Sequence, residues 1–547
     1  MSTYHELLAR FRQAFPAPVS DPVHDGYFVF SILKALEQVD ALKSQAPLLG
    51  TPREPDYAKA LAERLAPDGR SLEQVIPELV RCLDGMIIWG HPRSQVNVVA
   101  HPSIASIIGV VLPSIFNPNL CSDESGRGFS EAEVRVAAMV GEMIGYDPQQ
   151  AAGIFTFGGT GTLLYGIKLG LEKALPECLR KGVSGDCVVL ASEHSHYACL
   201  NVAGWLGIGQ DHVVRVETHD DHSMDLVALE QAARAAITAG KRIAAIVATM
   251  GTTDAFGIDD LAAIHALRER LIRDYQLDYR PHLHADAVIG WAWSVFRGED
   301  FQNHRLGFRG RTVRALAGIQ NRLRHLALAD SLGVDFHKTG FSPYISSMFL
   351  AKEREDLQLL VRDRATMPYL FHSGDYHPAM YTLETSRGAT GPMAALGSLL
   401  LLGRSGMQAL LGHAVEMAEI LRELIGARPE LTVVNPANFG PVTLFRAYPP
   451  GVDTFSVKER ERSDPSYRAE LAAHNAFNRR IFERVQSEAM AGRGVAIGYT
   501  ECYRRSDFGE PMSALKSYVL SPFAEADRMH DIIDHVLEAR QREIAGA

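Results

Sequence analysis

Apolar residues in this chain recur first at helical spacing and then in short solid blocks. Over 4–15, 26–42 and 71–84 they repeat every three or four positions, which predicts three helices. Proline joints at Phe15-Pro16-Ala17-Pro18 and Thr51-Pro52 separate them. A second region opens near Asn117 with a helix expected to be capped by Ser130. Glu131 and Glu133 lie in its first turn, and Val134, Ala138, Met139, Met143 and Ile144 form its apolar face. Short β-branched or apolar runs then alternate with helical stretches. Runs over 153–157, 187–192, 213–217, 243–250, 282–287 and 348–351 read as buried parallel strands, with a helix over 161–175. This alternation predicts an α/β fold with a doubly wound, mostly parallel central sheet covered on both faces. From about Gly391 the pattern changes to helices over 393–402 and 406–425, strands over 431–434 and 442–446, a helix over 469–489, a strand over 516–521 and a helix over 524–539. The expected division is a helical N-terminal segment over 1–115, a large α/β domain over 116–395 and a small α+β domain over 396–547.

Composition narrows the function classes. With 547 residues, 46% hydrophobic and 22% charged, the chain is an ordinary globular sequence able to bury a large core. Lys+Arg of 55 against Asp+Glu of 65 leaves −10, which argues against a nucleic-acid partner. The 6 cysteines, at 82, 121, 178, 187, 199 and 502, form no CxxC pair, so free thiols are expected rather than a zinc knuckle. Residues 1–15 lack the apolar core of a signal peptide, and the richest apolar stretches, 106–116 and 394–402, are shorter than a bilayer span. A cytoplasmic protein without a membrane partner is the expectation. The basic stretch 297–324 reads as a solvated insertion or helix face, with an anion-attracting rim as the alternative.

Four features carry candidate chemistry. Thr156-Phe157-Gly158-Gly159-Thr160-Gly161-Thr162 lies between a strand and a helix, where glycines and free N–H groups form a phosphate cradle. It matches neither the Walker nor the GxGxxG pattern, since Ile167-Lys168 and Leu164 occupy the diagnostic positions. Ser192-Glu193-His194-Ser195-His196-Tyr197 follows a strand, where open α/β sheets bind ligands. His282-Leu283-His284-Ala285-Asp286-Ala287 puts His282, His284 and Asp286 on one strand face. That face suits either a metal or a carboxylate that keeps a cofactor's ring nitrogen protonated. In Asp335-Phe336-His337-Lys338-Thr339-Gly340, Lys338 is either a solvated lysine or a desolvated Schiff-base nucleophile. In this order along the chain the four suit one cofactor, pyridoxal 5'-phosphate.

These motifs resemble the group II pyridoxal-phosphate-dependent amino-acid decarboxylases, which include aromatic-amino-acid, tyrosine, glutamate and diaminobutyrate decarboxylases. The resemblance runs from about Asn97 to Gly406 and implies the aspartate-aminotransferase-like fold (fold type I). It implies that Thr160, Gly161 and Thr162 hold the phosphate and that His196 stacks on the ring. Asp286 is then the pyridinium partner, Ala287 the small residue beneath the ring, Lys338 the Schiff-base lysine and His337 its neighbour near the phosphate. In Met367-Pro368-Tyr369-Leu370-Phe371, Tyr369 resembles the loop tyrosine that protonates the substrate carbon. Ser386 resembles a residue offered to the partner subunit's phosphate. Phe336 departs from the family's proline, Val288 from a smaller residue, and the stretch between Asp286 and Lys338 is longer than in many relatives. The implied activity is decarboxylation of an L-amino acid to an amine by an obligate homodimer. The run Lys-Thr-Gly-Phe-Ser-Pro-Tyr resembles bacterial tyrosine decarboxylases and favours an aromatic substrate, whereas the arginine-rich stretch 297–324 argues for an acidic one; His101 and Pro102 are expected near the pocket. The same fold also hosts other carbon–carbon lyases and oxidative aldehyde synthases. A metal-dependent hydrolase using His282, His284 and Asp286, joined by His219-Asp220-Asp221-His222, is the alternative from another class.

Overall fold

The computed structural model describes residues 3–183, 185–368 and 370–546. In chain order its strands are β1 (Ser94–Gln95), β2 (Ala152–Thr156), β3 (Cys187–Ser192), β4 (Val213–Val216), β5 (Arg242–Thr249) and β6 (His282–Asp286), then β7 (Ser331–Asp335), β8 (Ser347–Ala351), β9 (Leu431–Val433), β10 (Val442–Ala447), β11 (Ala496–Arg505) and β12 (Pro511–Tyr518). Seven of them form one sheet in the order β2-β8-β7-β6-β5-β3-β4. Pairing is parallel from β7 through β6, β5 and β3 to β4, whereas β8 runs antiparallel to both β7 and β2. Strand β2 therefore points the same way as the parallel set, and these six strands end at one edge.

Strand β8 corrects the expectation of a parallel strand over 348–351. A parallel neighbour needs a crossover of about a dozen residues or more, usually a helix. The connection 336–346 holds only the short helix Phe336–Thr339, so the chain must turn back on itself. The helix expected to be capped by Ser130 instead spans Gly128–Ile144, and Ser130 and Glu133 are buried inside it.

Close approach of helix and sheet fixes the elements beneath the site. The helix Gly159–Ala174 follows β2 and lies against the sheet on a glycine face. A Cβ at Gly166 would meet the His284 ring at 2.3 Å, and one at Gly170 would meet the Ala244 carbonyl oxygen at 2.2 Å. Strands β3, β5, β6 and β7 are buried almost throughout, as strands covered on both faces must be.

A second sheet has the order β1-β11-β12-β10-β9. Strand β1 comes from the segment expected to be purely helical, and it pairs in parallel with β11. The helices Arg468–Met490 and Ala526–Ala545 cover this sheet around a core that includes Leu421, Phe445, Ile481, Leu515 and Ile532. The helix Thr390–Gly426 runs across position 395 and joins the two sheets. Its backbone leaves helical geometry at Gly403 (φ 54°), between the two helices that the sequence pattern predicts. By length and composition it is apolar enough to cross a membrane, which the stretch 394–402 alone did not suggest. It crosses the helix Ile104–Phe116 at small residues: a Cβ at Gly109 would meet the Met393 carbonyl oxygen at 2.3 Å, and one at Gly397 the Ala105 carbonyl oxygen at 2.5 Å. The outer faces of this pair expose Ile104, Ile107, Ile108, Leu112, Leu400 and Leu401. The helices Pro22–Ala41, Tyr57–Ala62 and Leu72–Val80 bury no residue at all.

The basic stretch 297–324 contains the helix Gly310–Leu323, and several of its arginines are paired. Arg309 and Arg311 bind Glu423, Arg311 also binds Glu419, and Arg322 binds Asp260.

Substituting Gly170→Ala separates helix propensity from packing. Propensity alone would stabilise the helix by about 1 kcal/mol. The added methyl meets backbone that cannot rotate away, so a net loss of about 1–3 kcal/mol is expected in denaturant titration. A more stable variant would contradict this packing.

Candidate active site

The shared edge of the parallel strands gathers most of the predicted residues. After β2 the chain turns at Gly158, whose φ of 111° is a backbone state that favours glycine. A Cβ there would meet nothing within 4 Å, so the turn faces open space. The next residues begin the helix Gly159–Ala174, whose first N–H groups have no intrahelical acceptor. Thr160 is exposed at this start. Gly161 is buried, and its N–H closes the turn onto the Gly158 carbonyl at 2.8 Å. Thr162 is fully buried, and its hydroxyl donates to the Gly159 carbonyl at 2.7 Å. That hydroxyl braces the turn, so in this structure Thr160 offers the open one.

Strand β7 leads directly to the lysine. Its residues Ser331-Leu332-Gly333-Val334-Asp335 are all buried, and Gly333 leaves room for the Thr162 side chain. Lys338 follows on the short helix, with 16% of its side chain exposed and Nζ 2.9 Å from Asp335 Oδ2. Burial works to depress the Lys338 pKa, but Asp335 and then Asp286 outweigh it and leave it raised. Asp335 is 1% exposed; its Oδ1 accepts from the Ser347 hydroxyl at 2.5 Å, and its Oδ2 lies 3.5 Å from His337 Nε2. A Cβ on Gly159 would come within 3.1 Å of Asp335 Oδ2, so this carboxylate lies against the glycine cradle. Sequence reasoning quoted Asp335 in the lysine motif without giving it a role; its position three residues before Lys338, at a strand end, was the available signal. His337 is buried, and its Nδ1 lies 3.1 Å from the Ser346 carbonyl oxygen.

Asp286 ends β6, with Oδ1 buried and without a hydrogen-bond partner. Burial pushes its pKa up to about 6, against the pull of the Lys338 charge and the Val288 N–H; the Asp335 carboxylate adds to the rise. Ala287 is fully buried beside it. His196 lies half-buried after β3, its ring 4.2 Å from that of Tyr197 and its Nδ1 accepting the Ala198 N–H at 3.2 Å. Burial lowers its pKa, and the nearby Lys338 charge lowers it further. Phe336, the departure from proline, stacks on Phe155 at 5.7 Å and meets Trp291 edge-on at 4.7 Å, so it fills the core under the lysine. His101 is half-buried near this edge: the Ser103 N–H donates to the Phe341 carbonyl at 2.8 Å, three residues beyond Lys338.

One predicted residue lies elsewhere. Ser386 is exposed on a separate segment, where its Oγ accepts from Asn119 Nδ2 at 3.5 Å. Tyr369 lies outside the described residues.

The geometry overturns the metal-hydrolase alternative. His282 Nε2 and His284 Nδ1 both bond to the Ser331 hydroxyl, at 2.8 and 2.9 Å, inside the sheet. Asp220 pairs with Arg462 and Arg504, not with the neighbouring histidines. Among the described residues no group of three or more His, Cys, Asp or Glu could hold a metal ion.

Pyridoxal phosphate fits what is present. The open glycine turn can take a phosphate, the orphaned Asp286 oxygen can take a protonated ring nitrogen, and Lys338 supplies a buried amine. Comparison with known proteins agrees. The family described as pyridoxal-dependent decarboxylase conserved domain matches residues 55–447. The chain is 26% identical over 422 residues to L-2,4-diaminobutyrate decarboxylase of Rhizobium meliloti, covering 74% of each chain. It is 24% identical over 506 residues to the Acinetobacter baumannii protein of the same name, covering 89% of this chain and 88% of that one. The crystal structure of mouse CSAD in apo form superposes with a TM-score of 0.77 at 18% identity, covering 95% of this chain and 99% of that chain. That likeness establishes the expected fold.

The raised Asp286 pKa has a signed consequence in cofactor-free protein. A carboxyl raised from 3.8 to about 6 contributes stability below pH 4 that is lost as pH rises through 6. Asp286→Asn should therefore be more stable than wild type at pH 8, by up to about 3 kcal/mol, and level with it near pH 4. Denaturant titration at the two pH values checks this. A variant less stable at pH 8 would mean that the Lys338 attraction outweighs burial.

Proposed function

The chain belongs to the pyridoxal-dependent decarboxylases, and from that premise we propose how its own residues divide the work and which amino acid they take. The enzyme is a pyridoxal-phosphate-dependent carboxy-lyase acting on an amino acid. The single observation that carries the assignment of roles is the unpartnered, buried Asp286 oxygen within electrostatic reach of a buried Lys338.

Bound at this edge, pyridoxal phosphate supplies an aldehyde for amine condensation and an electron-withdrawing ring. The N–H groups at Gly159 and Thr160 and the Thr160 hydroxyl would hold the phosphate, with Gly161 and Thr162 bracing the turn around it and His337 close by. Asp286 Oδ1 would accept the proton of the ring nitrogen and keep it there, since the pairing favours both charged forms. His196 and Ala287 would fix the plane of the ring from its two faces. Lys338 Nζ would hold the cofactor at rest and give it up to the incoming amino acid. The bond that breaks is the one held perpendicular to the ring, so the residues that orient the substrate carboxylate select carbon dioxide loss over proton loss. Tyr369 would then deliver a proton to the α-carbon, which makes the product an amine rather than an aldehyde.

For the substrate, we favour a short amino acid with a charged side chain, of the 2,4-diaminobutyrate kind, over the aromatic class. Both relatives named for that substrate align over most of the chain, whereas the L-tyrosine decarboxylase of Enterococcus faecium aligns over 43% of it at 28% identity, so the aromatic reading rests on that shorter match and on the run Lys338–Tyr344. We also assign the exposed apolar faces of Ile104–Phe116 and Leu400–Leu401, with the Pro22–Ala41 helix, to a second copy of the chain, across which Ser386 and Tyr369 would act.

Lys338→Ala should lose carbon dioxide release and the visible absorbance of bound cofactor together; wild-type turnover would overturn the assignment. Tyr369→Phe should lower kcat by about 10²–10⁴-fold, the range for one general acid. A panel of L-2,4-diaminobutyrate, glutamate, aspartate and tyrosine should give the highest kcat/KM with diaminobutyrate, and a preference for tyrosine would contradict the substrate reading. Sedimentation should show dimers, and a fully active monomer would refute the assignment of the apolar faces.

A further inference from the structure

The segment 371–388 begins just after Tyr369 and ends just after Ser386, and it is fastened along its length to residues 119–133. The His372 N–H donates to Glu124 Oε2 at 3.0 Å. The N–H groups of Asp375 and Tyr376 converge on Asp123 Oδ2 at 2.9 and 3.2 Å, and the Asp123 N–H returns to the Tyr376 carbonyl at 2.9 Å. Farther along, the Ala379 N–H reaches the Cys121 carbonyl at 3.1 Å, and Leu120 and Arg387 are joined through the Leu120 N–H and the Arg387 carbonyl at 2.8 Å.

All of this converges on one carboxylate. Glu133 is fully buried. Its Oε1 accepts the Phe155 N–H at 2.8 Å, its Oε2 accepts the Tyr376 hydroxyl at 2.9 Å, and the Arg387 guanidinium pairs with both oxygens. Arg387 also donates to the Phe155 carbonyl at 3.2 Å. One side chain thus ties the end of β2, which leads into the glycine turn, to Tyr376 and to the neighbour of Ser386. A buried carboxylate with this many donors has one low-energy arrangement, because any donor that leaves exposes an unpaired charge.

We propose that Glu133 is a positioning residue for the reaction: through Tyr376 and Arg387 it fixes the segment that follows Tyr369 and carries Ser386, and so sets where both are presented. This rests on the role proposed for Tyr369. Gly374, at φ 87°, marks the tightest point of the fastening, since a Cβ there would lie 2.0 Å from Asp123 Oδ1.

A matched control exists in the small domain. Glu461 is fully buried, pairs with Arg446 at 3.0 Å and accepts the Tyr448 hydroxyl at 3.0 Å. Tyr448→Phe therefore removes the same kind of hydrogen bond as Tyr376→Phe, away from the segment. In the cofactor-loaded enzyme, Tyr376→Phe and Gly374→Ala should speed amide hydrogen exchange selectively over 371–388. They should lower kcat about tenfold with KM within about twofold, as misplacement of a catalytic group does. They should also raise the fraction of aldehyde in the product, formed by oxidation with dissolved dioxygen and release of ammonia and hydrogen peroxide, in the direction of Tyr369→Phe. Tyr448→Phe should lose stability while keeping kcat and the product ratio. If Tyr376→Phe and Gly374→Ala leave exchange over 371–388 unchanged, or behave like Tyr448→Phe in kcat and product, the positioning role of Glu133 is overturned. If Tyr369→Phe is itself silent while exchange over 371–388 rises in the other two, the role of Tyr369 falls and the fastening by Glu133 stands.

Discussion

The site depends on one buried ammonium held between two buried carboxylates. Removing Lys338 from water alone would drive its charge off, and removing Asp286 from water alone would protonate it. Asp335, at 2.9 Å, anchors the amine, and Asp286 feels both neighbours. The arrangement stays high in energy without a further cation, because two negative charges share one positive one. A protonated ring nitrogen against Asp286 would supply the missing charge, and a phosphate in the glycine turn would rest on the backbone dipoles there.

The fold makes this placement rigid. Strands β2, β3, β5, β6 and β7 end at one edge, so the glycine turn, His196, Asp286 and Lys338 come to one place from widely separated parts of the chain. Gly166 and Gly170 let the helix behind the cradle lie on the sheet, and Phe336 packs the space beneath the lysine. A second layer of control comes from the buried Glu133 cluster, which links the same β2 to the segment flanked by Tyr369 and Ser386.

The sequence was most legible where periodicity was strong and composition uniform. Strand β3 spans Cys187–Ser192 as its apolar run indicates, and the break at Gly403 falls between the two helices read on either side. It was least legible where buried strands carry polar residues. Strand β7 contains Ser331, Gly333 and Asp335 and went unread as a strand, because its serine binds two histidines and its aspartate binds the lysine. Strand β11 (Ala496–Arg505) has glycine, threonine and charged residues and was missed for a similar reason: only part of it is buried. Of the site, the motifs pointed to Lys338, Asp286 and His196, whereas Asp335 needed a distance, and the engaged Thr162 hydroxyl needed the packing against Gly333.

Chemical trapping tests the central claim most directly. Protein loaded with pyridoxal phosphate is reduced with borohydride and digested, and the modified peptide is mapped by mass spectrometry. The account predicts a single pyridoxyl adduct on Lys338. An adduct on another lysine, or none on a fully loaded protein, would contradict it.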